Sequence, residues 1–118
     1  MKKLLVSILM LFCCQANAEW TVDEDRMFIA SNIAIVADWA TTRNMSQRYD
    51  EGYYEKNNIL GPYPSRDRVD IYFIGLLATN YYVADYFGKY KIYYFAYRTV
   101  EHGSAAVNNV NIGLRLHF

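Results

Sequence analysis

Apolar residues in this chain gather into four blocks separated by polar breaks. The first, Leu4 to Phe12, follows the basic start Met1-Lys2-Lys3 and precedes Ala16-Asn17-Ala18, whose small residues stand where a signal peptidase reads. That order predicts a secretory signal over residues 1–18, cut after Ala18, and a single helical domain over 19–118. The block is shorter than the ~20 residues a membrane span requires, which argues for a cleaved leader over a retained anchor.

The other three blocks follow the helical period and predict helices at about 27–42, 69–87 and 90–110. Each carries polar or small residues on one stripe: Ser31, Asp38 and Thr42 on the first, Gly75, Thr79 and Tyr82 on the second, and Tyr94, Arg98, Glu101, Ala105 and Asn108 on the third. Three such stripes can meet inside one small bundle, and small residues on the second would let a neighbouring helix approach closely. Thr21 and Glu24 have the spacing of a capping box, while Ser65 with Asp67 is placed to open the second helix. Between the first two helices runs a loop, Arg43 to Asp67, that holds both prolines. Its Tyr49, Tyr53, Tyr54, Ile59, Leu60 and Tyr63 predict that it packs on the bundle. The closing residues 111–118 alternate apolar and polar and end in an aromatic, as the last strand of an outer-membrane barrel does. A barrel needs about eight such strands, and the centre of this chain has a helical period, so an outer-membrane location is not expected.

Whether the bundle lies in a membrane turns on its charges. Met27 to Ala37 and Ile71 to Ala84 contain none, where helices facing water would show a charged outer side. Three spans with residue 19 exported place Arg43, Arg48, Lys56, Arg66, Arg68 and Arg115 inside, against Arg26, Lys89 and Lys91 outside, which obeys the positive-inside rule. In the other direction, Asp38, Asn80, Asp85, Arg98 and Glu101 interrupt the runs at a cost unless paired, and the mean hydropathy of −0.09 is low. The fold class expected is all-α: a transmembrane three-helix bundle of the inner membrane, with a periplasmic bundle as the alternative.

Loss of Lys2 and Lys3 with the leader leaves 10 basic against 12 acidic residues, which is not the footprint of a nucleic-acid binder. Cys13 and Cys14 both fall in the leader, so no disulfide or cysteine metal site is expected beyond it. With His102 and His117 as the only histidines, no metal or other cofactor is expected either. The 12 tyrosines are the unusual feature; rings with a polar edge suit surfaces with one wet side. Tyr81, Tyr82, Tyr86, Tyr90, Tyr93 and Tyr94 flank the Gly88-Lys89 turn, where they would meet membrane lipid or a protein partner.

The stretch Asp38-Trp39-x-x-Thr42-Arg43, then Tyr54-Glu55-x-Asn57-x-Ile59-Leu60-Gly61, then Pro64-Ser65 with Val69 and Tyr72 beyond, resembles a group of uncharacterised small bacterial and phage membrane proteins. Asn58 stands where that pattern has proline. The resemblance implies a membrane location and carries no assigned activity.

Two polar constellations stand out. Asp38, Thr42, Arg43, Glu55 and Asn57 would hold a cation, accept a proton or bind a polar headgroup; alternatively, Asp38 ties down the loop through Thr42. Arg98, Glu101 and His102 form the second. His102 with Asp38 or Glu101 is a possible acid–base pair, and Arg98 with Glu101 has the i, i+3 spacing of an ordinary salt bridge. The leading expectation is a non-enzymatic structural or interaction protein of the membrane. The alternatives are a membrane-embedded enzyme or ion-binding protein using Asp38, Glu55 and Glu101, and a periplasmic binding module.

Overall fold

Thr21 and Glu24 form the reciprocal cap their spacing predicts: the Glu24 N–H donates to Thr21 Oγ1 at 3.2 Å, and the Thr21 N–H donates to Glu24 Oε2 at 3.1 Å. Two otherwise orphaned donors are thereby satisfied, and the first helix starts ahead of its apolar block. In the computed structural model, which describes residues 20–118, helix α1 spans Val22–Met45, α2 Arg66–Tyr86 and α3 Lys91–Asn111, with short 3-10 turns at Tyr49–Glu51 and Gly88–Tyr90. Ser65 caps α2 by accepting the Arg68 N–H at 3.2 Å. The secretory signal expected over 1–18 lies outside the described residues.

α1 is the central element. It packs chiefly on α3 and less on α2, and α2 and α3 touch least. Its contacts with α2 run in opposite directions along the two chains (Ser31 to Asn80, Trp39 to Asp70), whereas those with α3 run together (Phe28 to Phe95, Asp38 to His102, Thr41 to Asn109). The bundle is therefore up-down-up, with α1 and α3 parallel.

Two apolar clusters make the core. Ile35, Trp39, Leu60, Val69, Phe73 and Leu77 form one, and Trp20, Phe28, Ala84 and Phe95 the other. A polar layer divides them, in which Asn80 Nδ2 donates to Ser31 Oγ at 3.0 Å and to Asn32 Oδ1 at 2.9 Å. The Ser31, Asp38 and Thr42 stripe of α1 is buried as the spacing predicts. The other two stripes need correction. On α2 the inward positions are Val69, Asp70, Phe73, Leu77, Asn80 and Ala84, while Gly75, Thr79 and Tyr82 face outward with no helix against them. On α3 they are Lys91, Phe95, His102, Ala106 and Asn109, one position on from the stripe read in the sequence. In both cases the large apolar side chains, not the small or polar ones, set which face is buried.

The expectation of transmembrane helices in an inner membrane is also overturned: no helix among the described residues is long and apolar enough to cross a membrane. The reason lies in the helix ends and mid-helix charges. α1 opens on Asp23, Glu24 and Asp25 and carries Asp38 and Arg43, α2 opens on Arg66, Asp67, Arg68 and Asp70, and α3 carries Lys91, Arg98 and Glu101.

The loop between α1 and α2 is built rather than slack. The Glu55 N–H donates to the Pro62 carbonyl at 2.9 Å and the Gly61 N–H to the Asn57 carbonyl at 2.9 Å. Tyr49 Oη donates to the Pro64 carbonyl at 2.7 Å, and Arg68 Nη2 donates to the Ile59 carbonyl at 2.9 Å. Gly61 takes a positive φ of 79°, which glycine adopts without the steric cost of a Cβ, and the turn it makes drives Leu60 into the core. The C-terminal arm returns across the base: Arg48 Nη1 donates to the Gly113 carbonyl at 2.9 Å, and the Phe118 ring meets Trp39 edge-on at 5.0 Å.

Candidate functional site

The parallel pairing of α1 and α3 brings two polar positions of one helix against two of the other. Asn109 Nδ2 donates to Thr41 Oγ1 at 2.9 Å, and His102 Nδ1 lies 2.7 Å from Asp38 Oδ2, both pairs buried. Asp38 also accepts from Thr42 Oγ1, at 3.3 Å on its other oxygen. A carboxylate offers only acceptors, so Nδ1 carries the hydrogen of the short contact, and in the neutral ring Nε2 presents its lone pair. That nitrogen is buried and has no hydrogen-bond partner; the residue as a whole is 4% exposed. Its neighbour Glu101 Oε2 stands 3.7 Å away, beyond hydrogen-bond reach.

His102 borders a cavity of about 600 Å³, within the range that holds small molecules. α1 contributes Asp38, Thr42 and Met45 to its wall, the loop contributes residues 54–60, and α2 contributes Tyr72 and Phe73. α3 closes it with Glu101, His102, Ala105, Asn108 and Asn109. The loop wall is held in place by its own side chains. Glu55 Oε1 accepts the N–H groups of Lys56 and Asn57, each at 2.8 Å, Asn57 Nδ2 donates to Tyr72 Oη at 2.9 Å, and Asn57 Oδ1 accepts the Ile59 N–H at 2.9 Å. Burial pushes the Glu55 carboxyl above the usual range; the Asn57 N–H works against that, the Asp38 charge adds to it, and the Lys56 N–H opposes it. Behind the loop, burial and the Glu55 charge push the Tyr49 phenol up to about 12.

Of the residues singled out in the sequence, Asp38, Thr42, Glu55, Asn57, Glu101 and His102 come together on this wall. Arg43 does not. It turns to the opposite side of α1, where its Nε donates to Asp70 Oδ1 at 2.8 Å and the same oxygen accepts Trp39 Nε1 at 2.8 Å. Arg98 sits behind Glu101, donating to Glu101 Oε2 at 2.8 Å from Nη1 and to Tyr94 Oη at 3.2 Å from Nε. The salt-bridge spacing is thus used, and it leaves Glu101 at the cavity edge. Around the Gly88 turn Tyr82, Tyr86, Tyr90 and Tyr93 are exposed, whereas Tyr81 stacks on Trp20 and Tyr94 on Phe87. Among the described residues no three His, Cys, Asp or Glu side chains are grouped to hold a metal ion.

Sequence reasoning missed Asp70 and Tyr72 as polar partners. Asp70 was detectable, since it precedes Phe73, Leu77 and Asn80 in the 3–4 spacing of one buried stripe. Asn80 and Asn109 read from the sequence as side chains able to hydrogen-bond across helices, and both do so; Tyr72 required the path of the loop.

Chemically, the site offers an imidazole nitrogen oriented by a carboxylate, flanked by two further carboxyl groups. Such a nitrogen accepts a hydrogen bond or a proton from a bound O–H or N–H. No family model, curated protein or solved structure matches this chain.

Proposed function

We propose that this chain binds a small polar molecule in the cavity between α1, the loop and α3, and that His102 is the group that engages it. One observation carries the reading: His102 lines the cavity with its Nε2 buried and without a partner, while Nδ1 is used by Asp38. A buried polar atom left unpaired costs about 1–3 kcal/mol, a cost that a bound donor removes. The elements behind the resemblance to small bacterial and phage proteins support the same reading, because Asp38, Thr42, Glu55, Asn57, Ile59 and Leu60 all lie on the wall. With a leader of the kind residues 1–18 resemble, binding takes place outside the cytoplasm.

A screen of polar small molecules by ligand-observed NMR tests this. Hits should shift the ¹⁵N resonance of His102 Nε2 and should be lost in Ala105→Trp, which fills the cavity from α3. Hits that bind Ala105→Trp as well as the unsubstituted chain, and leave the imidazole unmoved, refute it.

In a second reading the bound molecule is also transformed, with His102 as general base. The 2.7 Å contact to Asp38 favours it, since a carboxylate on Nδ1 orients the ring and stabilises the imidazolium that proton transfer creates. His102→Gln would then abolish turnover of a hit; unchanged turnover would dismiss the reading.

A further inference from the structure

We infer the class of that molecule: a cationic amine carrying an apolar body. The inference rests on the binding reading above and adds what the charges around the cavity require. With Nδ1–H committed to Asp38, Nε2 of a neutral His102 ring is an acceptor, and the nearest polar atom of Glu101, 3.7 Å away, is an acceptor that also receives Arg98 Nη1. In the neutral ring no hydrogen bond joins these two acceptors. A ligand that meets both brings two donors, which an alkylammonium supplies from a single nitrogen with charge added.

The groups facing this point from each element agree. α1 contributes Asp38, the loop contributes Glu55 with Lys56 exposed to solvent, α2 contributes only the Tyr72 phenol, and α3 contributes Glu101 with Arg98 behind it. Three carboxyl groups against one solvated lysine and Arg98, which is held on the far side of Glu101, leave the balance negative, which repels an anion and favours a cation. The elevated carboxyl of Glu55 fits an interior that lacks a counter-charge; an ammonium supplies it. Between these polar groups and the asparagines of the wall, Met45, Leu60, Phe73 and Ile112 supply apolar surface, which suits a hydrocarbon or aromatic body rather than a bare ion.

The test titrates the purified chain, by protein-observed NMR, with three probes of one shape: tyramine, neutral 4-ethylphenol, and anionic 3-(4-hydroxyphenyl)propanoate. Tyramine should bind roughly tenfold or more tighter than 4-ethylphenol, with the propanoate weakest. Glu101→Gln and Glu55→Gln should each weaken tyramine several-fold and leave 4-ethylphenol unchanged. Tyramine affinity should fall as pH drops through the raised Glu55 range. Equal or tighter cavity binding by the neutral or anionic probe overturns the amine inference and leaves the binding reading standing. The same holds if none of the three binds but neutral hits emerge from the screen. If neither the probes nor the screen yields a cavity ligand, both fall. Tyramine binding that survives Glu101→Gln and Ala105→Trp unchanged also overturns the inference, as does a His102 ring protonated on both nitrogens in the ligand-free protein at pH 7.5.

Discussion

Removing the Asp70 side chain should be among the costliest single changes this bundle can suffer. The carboxylate is an acceptor for two buried donors, Arg43 Nε and Trp39 Nε1, both at 2.8 Å. Arg43 is 2% exposed, and its Nη1 already lacks a partner. Its other contact is the Phe118 ring, at 5.8 Å from the guanidinium carbon. Asp70→Ala therefore strands a guanidinium out of water. Breaking a buried ion pair from one side costs about 3–5 kcal/mol, and leaving the indole N–H unpaired adds to this by roughly 1–3 kcal/mol where no water reaches it. Against a total stability of about 5–15 kcal/mol for a small domain, that is a large fraction. Urea denaturation followed by tryptophan fluorescence and far-UV circular dichroism would measure the loss. The decisive comparison is a double-mutant cycle with Arg43→Met: removing both charges should recover at least about 2 kcal/mol of what Asp70→Ala loses, because the unpaired guanidinium is gone. A loss below about 1 kcal/mol for Asp70→Ala, or a double variant no more stable than Asp70→Ala, would refute the assignment of Arg43 as a buried pin.

Two further outcomes follow from the geometry. Glu55 is raised by burial first, opposed by the Asn57 N–H and reinforced by the Asp38 charge; its folded-state value thus exceeds the unfolded one of about 4.3. The stability it contributes is complete below that unfolded value and is lost as pH rises through the folded one. Glu55→Gln, which keeps an oxygen for the Lys56 and Asn57 N–H groups, should flatten this fall and leave the variant more stable than the parent at pH 7, as melting temperatures across pH 4–7.5 would show; identical pH profiles would contradict it. Gly103→Ala should stabilise the fold by about 0.5–1 kcal/mol, because Gly103 is in the interior of α3 and an added Cβ meets only the Ala34 Cβ, at an ordinary 3.9 Å. A lower denaturation midpoint would show that α1 and α3 are packed more tightly there than this spacing implies.

Much of the local structure was legible because it depends on neighbours in sequence. The Thr21–Glu24 box, the Ser65 cap, the buried stripe of α1 and the packing of the loop through Leu60 all follow from residues a few positions apart. The same is true of the Arg98–Glu101 bridge. The membrane expectation failed because the blocks were judged on their uncharged centres, Met27 to Ala37 and Ile71 to Ala84, whereas the helices extend into the charged turns on either side. The inward faces of α2 and α3 were misassigned for a related reason. Polar and small residues were taken to mark the interior, while Phe73, Leu77 and Phe95 actually set it, and Asp70, Asn80, His102 and Asn109 are carried inside on the same faces. The Asp38–His102 pair was one of two partners open to that histidine. Choosing between Asp38 and Glu101 required the parallel register of α1 and α3, a tertiary property with no signature in either segment alone.

That choice also bears on whether the site is more than a structural pin. Among the described residues four buried side-chain atoms lack partners: Asn32 Nδ2, Arg43 Nη1, Asn80 Oδ1 and His102 Nε2. The first three belong to side chains that do not border the cavity and whose other polar atoms tie α1 to α2. Each is the unsatisfied remainder of a group whose main contact holds two helices together, and apolar replacements of the whole cluster would serve stability as well. His102 differs in position. Its structural contact, Nδ1 to Asp38, is complete, and the surplus nitrogen belongs to a side chain on the cavity wall. A pin needs only Nδ1. His102→Asn separates the two roles, since its shorter amide can keep a donor toward Asp38 while withdrawing the acceptor from the cavity. If His102 is only a pin, ligand binding should survive that change wherever the fold does. If it is the recognition group, the fold should persist and binding should fall by roughly tenfold or more.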